Sequence, residues 1–225
     1  MCGRFTLTVS PEELQAAFPD FQIPGDIPPS YNIAPSQPVP VIPNDGKKQL
    51  TFYKWGLVPM WADEETFGGY NLINARAETV AEKPSFRTPF RRKRCLVLSD
   101  GFYEWKKTSS KGSKTPYYVR MKDETPFAFA GLWDRWQSPH GDELLSACII
   151  TTEPNDIVKP IHSRMPVILP REGYEAWLHP GEKNPDQLSP YLKPYPGEEM
   201  EAFPVSTYVN NPKNNSPQCI QPGMI

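Results

Sequence analysis

Cys2 and Gly3 follow the initiator methionine, and Asn74, Glu104 and His162 stand far along the chain as groups able to orient a reactant or move a proton. Removing Met1 would leave cysteine as the first residue. It then carries an α-amine with a pKa of about 7.7 to 8.0 and, on the adjacent carbon, a thiol of about 8.5. Both keep a reactive fraction near neutral pH, so an aldehyde can be captured twice. The amine forms an imine, then the sulfur adds to the same carbon and closes a five-membered thiazolidine ring. Taken alone, Cys2 better fits the small buried hydrophobe that free cysteine usually is.

Other segments offer partners for such chemistry. In Asn71 to Thr79, after the Gly68-Gly69 turn, Asn74 can orient a polar reactant and Arg76 can hold a phosphate in its planar fork. The alternative there is a surface loop tied by an Arg76–Glu78 ion pair. Glu104 lies among Phe102, Tyr103 and Trp105 at the end of a predicted strand. Burial would raise its pKa toward neutrality, whereas a solvent-facing strand position would leave it ordinary; Gly101 permits a bulge that re-aims it. His162 can move protons at physiological pH, and Arg164, Ser163 and Thr151 can bind phosphate oxygens, although a lone histidine is often structural. Trp55 reads as core, while Trp61, beside Asp63 and Glu64, offers an exposed ring on which an unpaired base can stack. By charge alone the best nucleic-acid patch is Arg87, Arg91, Arg92, Lys93 and Arg94, although a charge run is commonly a solvated face.

Composition bounds the scaffold. A formal net charge of -2 argues against a generic nucleic-acid coat, so any such contact must be local. With 38% hydrophobic residues the chain can bury a core, and its 28 prolines point to short elements joined by shaped loops. No apolar run approaches the roughly 18 residues of a membrane span, and the first residues lack a signal peptide's hydrophobic core. A soluble cytoplasmic protein is expected, nucleoid-associated if bacterial. Cys2, Cys95, Cys148 and Cys219 form no Cys-x-x-Cys pair, and His140, His162 and His179 form no ligand motif, so neither zinc nor a disulfide framework is expected. No cofactor is implied.

Ser10-Pro11-Glu12-Glu13 predicts a capped helix from about Ser10 to Phe18. Strands are predicted at Val39 to Ile42 and Leu50 to Val58, joined through the Asn44-Asp45-Gly46 turn as a hairpin. Others are Cys95 to Ser99 continuing to Trp105, Tyr117 to Met121, Phe127 to Trp133, Leu144 to Thr152, Pro166 to Leu169 and Ala202 to Ser206. Helices around Arg171 to Leu178 and Asp186 to Leu192 complete an α+β pattern without βαβ units. The expected fold is a mainly antiparallel sheet closing into a barrel-like core, flanked by short helices and Pro-rich loops, as a single domain over residues 2-225.

Taken in order, Cys2-Gly3-Arg4-Phe5, Tyr31 to Pro35, Trp55 to Trp61, Asn74 to Thr79, Gly101 to Trp105 and His162 to Pro166 resemble the SOS response-associated peptidase (SRAP) family, the abasic-site processing proteins. Val205-Ser206 and Asn210 also fit. The resemblance implies a β-barrel-like domain with a positively charged cleft for single-stranded DNA. It carries Cys2 over as the residue that cross-links to an abasic-site aldehyde, with Asn74, Glu104 and His162 around it. Arg4, Arg76 and Arg164, with Thr151, are implied as backbone contacts, to which the residue reading adds Ser163, and Trp61 is taken as the strand wedge. The partner implied is single-stranded DNA containing abasic sites, bound by a monomer without regard to sequence.

Overall fold

The computed structural model describes residues 2–63, 65, 71–108 and 114–223. Its strands are, in chain order, β1 (Phe5–Leu7), β2 (Ser30–Ile33), β3 (Pro38–Pro43), β4 (Thr51–Trp55), β5 (Asn74–Arg76), β6 (Arg94–Ser99) and β7 (Gly101–Lys107). Then come β8 (Lys114–Met121), β9 (Phe127–Gln137), β10 (Glu143–Thr152), β11 (Met165–Pro166), β12 (Ile168–Leu169) and β13 (Met200–Pro204). The Gly68-Gly69 turn and Glu64 lie outside the described residues.

A barrel follows from the pairings. β3 pairs with β4 and β6, β6 with β9, β9 with β10, and β10 with β4, so five strands return on themselves. A closed ring leaves no edge within it to be capped. Its pairings are antiparallel except β10 with β4; β10 also runs parallel to β5. The second sheet, in the order β13-β8-β7-β1-β2, lies against the barrel. Phe5 and Phe102 cross the junction, with edge-on contacts to Phe129 at 5.7 and 6.0 Å, and Phe5 also meets Trp55 at 5.1 Å.

The capped helix forms at Pro11–Ala17, with Ser10 accepting from the Glu13 N–H and Glu13 reaching back to the Ser10 N–H at 2.7 Å. The predicted hairpin is β3–β4. The late helices are shorter than predicted: a 3-10 turn leads into Tyr174–Leu178, and Pro185–Leu188 runs into another.

The strand predicted from Cys95 through Trp105 is two strands in two sheets. The chain changes sheet at Asp100, whose buried carboxylate accepts from the Thr8 and Val9 N–H groups and from the Thr6 and Thr8 hydroxyls. Gly101 does not make a bulge: it pairs with Thr6 of β1 in the same register as Phe102 with Phe5. A side chain there would begin 2.2 Å from the hydroxyl of Tyr118 on the neighbouring strand β8, so that ring lies over this position only because the residue is glycine.

The basic run is a solvated face at Arg87, Arg91 and Arg92, which are exposed, and departs from that reading at Arg94. It lies partly on a helix, Pro84–Arg92, and Arg94 is fully buried. The Arg94 guanidinium donates to the carbonyls of Trp177 (2.8 Å), Phe90 (3.2 Å) and His179 (2.7 Å), and to that of Arg91. It thereby satisfies the carbonyl ends of two helices. Burial lowers its pKa to about 10. Arg91 and Arg92 face Glu182, and Lys93 bonds Asp134 at 2.6 Å. Lys93 and Arg94 are committed to folding contacts, while Arg87, Arg91 and Arg92 stay on the surface.

Candidate functional site

Three elements from distant parts of the sequence converge on Cys2. β1 is inserted between β2 and β7, pairing Phe5 with Phe102. The Tyr103 N–H donates to the Arg4 carbonyl at 3.0 Å, which holds the chain start along the strand that carries Glu104. Asn74 opens β5 and lies opposite Ile149 of β10. Just before it, the Ile73 carbonyl accepts from the Trp55 indole N–H and from the Ile149 N–H, each at 3.0 Å, so a core tryptophan fixes where Asn74 begins. His162 lies on the loop between β10 and β11, whose ends are tied by pairing of Thr152 with Met165.

Cys2 is fully buried. Its thiol lies 3.8 Å from the Arg4 carbonyl, and its own carbonyl accepts from the Asn74 side-chain N–H at 2.8 Å. The Asn74 side-chain oxygen is buried and meets no hydrogen-bond partner among the described residues. Desolvation pushes the thiol pKa well up, and the neighbouring Glu104 charge pushes it further. The thiol is therefore held protonated until a base relieves it.

Glu104 is 2% exposed, and burial raises its pKa from 4.5 to about 7. Such a carboxyl can donate and accept a proton near neutrality. His162 Nδ1 lies 3.8 Å from the Glu104 carboxylate. The same nitrogen sits 3.2 Å from the Arg164 carbonyl and 3.1 Å from the Arg164 N–H. Protonated, it has an acceptor; unprotonated, it has a donor. Both states of the ring are thus satisfied in place, which suits a group that passes protons. Burial lowers the His162 pKa, so the ring is predominantly neutral at physiological pH.

The remaining predicted residues occupy different surroundings. Arg4 donates to Asn32 Oδ1 at 2.8 Å and to the Val209 carbonyl at 3.0 Å, and its guanidinium lies 5.9 Å from the centre of the Trp105 ring. Arg76 and Ser163 are exposed. Arg164 grips Glu78 through both carboxylate oxygens, at 2.5 and 3.0 Å, and donates to the Thr151 carbonyl at 2.6 Å. Glu78 is therefore paired with Arg164, where sequence proximity suggested Arg76. The Thr151 side chain is buried, with its hydroxyl donating to the Ala75 carbonyl at 3.4 Å and accepting from Arg164 at 3.5 Å, so Thr151 holds Arg164 mainly through its carbonyl. Trp61 is 54% exposed, and Trp55 is core.

Two supporting residues escaped notice as individuals. Asn32 is 2% exposed and donates to the carbonyls of Val209, Asn211 and Asn214, tying the late loop to Arg4. Trp105 bonds Asn210 through its indole N–H at 2.8 Å. The only sequence signal for them was membership of the matching segments. No group of three or more His, Cys, Asp or Glu residues that could hold a metal occurs among the described residues.

Fold and site define a β-barrel protein built around a buried cysteine near the chain start, with a carboxyl and an imidazole gathered beside it. The SOS response associated peptidase (SRAP) family model matches residues 1–212, and the chain belongs to that family. It is 48% identical over 224 residues to abasic site processing protein YoqW of Bacillus subtilis (strain 168), covering 98% of this chain and 99% of the relative. Abasic site processing protein HMCES of Rattus norvegicus is 31% identical over 270 residues, covering 99% of this chain and 76% of the relative. Among solved structures, a protein from Bacteroides thetaiotaomicron superposes with a TM-score of 0.87 at 30% identity, covering 99% of this chain and 100% of that one.

Proposed function

We propose that this chain processes abasic sites in single-stranded DNA by capturing the ring-opened sugar aldehyde at Cys2. The observation that carries the reading is the convergence of Asn74 and Glu104 on Cys2, with His162 beside Glu104, from separate segments of the chain. Kinship with proteins named for abasic-site processing supplies the substrate class.

Met1 must first be removed, either by a housekeeping aminopeptidase acting before a small residue or by the site itself. The freed amine of Cys2 then attacks the aldehyde carbon, and the carbinolamine loses water to form an imine. Glu104, with its pKa near 7, gives the proton that leaves with the hydroxyl and takes the thiol proton as sulfur adds to the imine carbon. The imine nitrogen keeps the proton it had in the carbinolamine, so addition of the thiolate closes a neutral thiazolidine and leaves Glu104 protonated as it began. No oxidant is needed. His162 takes the proton of the sugar's anomeric hydroxyl and returns one to the ring oxygen, which opens the ring. Asn74 holds the Cys2 carbonyl, and its buried oxygen is placed to accept from the new amine. Arg4, Arg76 and Arg164 take backbone phosphates, with Ser163 beside Arg164 and Thr151 holding Arg164 through its carbonyl and hydroxyl. Trp61 provides a face for a flanking base. An imine that forms without ring closure permits β-elimination, which gives the site a lyase side reaction.

The assay is a heat-stable, denaturing gel shift with abasic and intact oligonucleotides. A stable adduct with the abasic strand alone is expected. No adduct with either strand under these conditions, together with equal reversible shifts of both in a native gel, would reduce the protein to a single-strand binding module.

A further inference from the structure

The Arg164 guanidinium is already occupied. One terminal nitrogen bonds Glu78 Oε1 at 2.5 Å, and the other bonds Glu78 Oε2 at 3.0 Å and the Thr151 carbonyl at 2.6 Å. Its Nε is buried and meets no hydrogen-bond partner among the described residues. A fork-on-fork pair of this kind has the geometry of an arginine–phosphate contact. The exposures are unequal: the Arg164 side chain is 17% exposed and that of Glu78 is 53%. The carboxylate therefore stands on the solvent side of the guanidinium, where an approaching phosphate would arrive.

Local structure keeps Glu78 there. Arg76 ends β5, opposite Thr151 of β10, and the chain turns at once into the 3-10 helix Ala77–Thr79. This turn brings Glu78 back over the loop that follows β10, where Arg164 lies. Both Arg164 and Arg76 act on the Glu78 carboxylate, holding it below the usual range, so it stays ionised at any physiological pH.

We propose that Glu78 is an internal phosphate mimic, a carboxylate that fills the Arg164 phosphate subsite in the free protein and is displaced by the DNA backbone. The inference rests on the reading of Arg164 as a phosphate contact. It assigns Glu78 a role opposite to that of the arginines around it: it lowers affinity for any single strand. Weak holding of intact DNA leaves the protein free to move on, and the covalent step supplies retention at a lesion. A second consequence concerns order. Arg164 is tethered to Thr151 and fixes the backbone on which the His162 ring rests, so Glu78 also keeps that loop in place before DNA arrives.

The test measures reversible binding of an intact oligothymidylate, where no cross-link can form, to wild type, E78Q, R164Q and the double variant across a salt series. E78Q should bind about three-fold tighter at low salt, the scale of one exposed ion pair. Its affinity should fall more steeply with salt than that of wild type, because salt also screens the competing Glu78–Arg164 pair that only wild type has. E78Q should give no gain in the R164Q background. R164Q that binds as well as wild type would overturn the reading of Arg164 itself. R164Q that binds weakly, together with E78Q that binds no tighter than wild type, would overturn the mimic alone and leave Glu78 a positioning residue. Thermal unfolding of each variant, and E78D as a charge-retaining companion expected to bind like wild type, separate loss of charge from loss of fold.

Discussion

Replacing Glu104 by glutamine removes a charge without removing volume, and the structure fixes what that should do to stability. Glu104 is 2% exposed, and its pKa rises from 4.5 to about 7 because burial penalises the carboxylate. Below pH 4.5 folded and unfolded chains both hold this proton, so Glu104 exerts no pH dependence there. Between 4.5 and about 7 the unfolded chain releases it while the folded chain keeps it, and stability falls as pH rises. Above about 7 the loss is complete. At about 1.4 kcal/mol for each tenfold change in proton affinity, it amounts to about 3 kcal/mol. The neutral side chain of E104Q escapes this loss, so urea unfolding at pH 5 and pH 8 should show the variant gaining on wild type by about 2 to 3 kcal/mol between the two. The same substitution removes the acid–base group and should slow adduct formation with abasic DNA by about 100-fold or more. A pH dependence of stability in E104Q equal to that of wild type would show that the carboxyl is not held protonated, and the mechanism assigned to it would fall.

C2S retains an amine but no thiol, so borohydride should trap an imine and strand cleavage should appear without a stable adduct; neither product would exclude amine attack. Non-covalent affinity for single strands should drop steeply with salt despite the net charge of -2, because the contacts are to backbone phosphates; a flat response over 50 to 200 mM would contradict the Arg4, Arg76 and Arg164 assignments. W55F deletes the donor to the Ile73 carbonyl and should cost about 1 to 3 kcal/mol by chemical unfolding, with slower adduct formation because Asn74 loses its anchor. R94M leaves several buried helix-end carbonyls without a donor and should destabilise by about 3 kcal/mol or more, while DNA affinity per folded molecule stays unchanged. A loss of affinity in folded R94M would return the basic run to the DNA surface.

Local signals in the sequence translated directly into structure. The Ser10 capping box and Pro11 gave a helix with both reciprocal bonds, and the apolar runs around Phe129 and Ile149 gave the long barrel strands. What failed to read through was determined by distant partners. β1, β2 and β5 have only three or four residues each and exist because neighbours pair with them. The break at Asp100 depends on donors from residues 6 to 9, and Arg94 looks like one more surface cation until two helix ends close over it. The helix Pro84–Arg92 was masked by its charges and by the interior Pro89, although Phe86 and Phe90 mark its inward face. The candidate site followed the same division. Cys2, Asn74, Glu104 and His162 were legible as residue types in matching segments, but the burial that shifts Glu104 belongs to the fold. Glu78 was seen beside Arg76, and its actual partner lies 86 residues away.

The most direct test is mass spectrometry of the N-terminal peptide after reaction with an abasic single-stranded oligonucleotide. The account predicts a peptide that starts at Cys2, lacks Met1, and carries the sugar remnant at that residue with the mass loss of one water. Attachment at a lysine or at any cysteine other than Cys2, or an adduct on a peptide that still retains Met1, would contradict it.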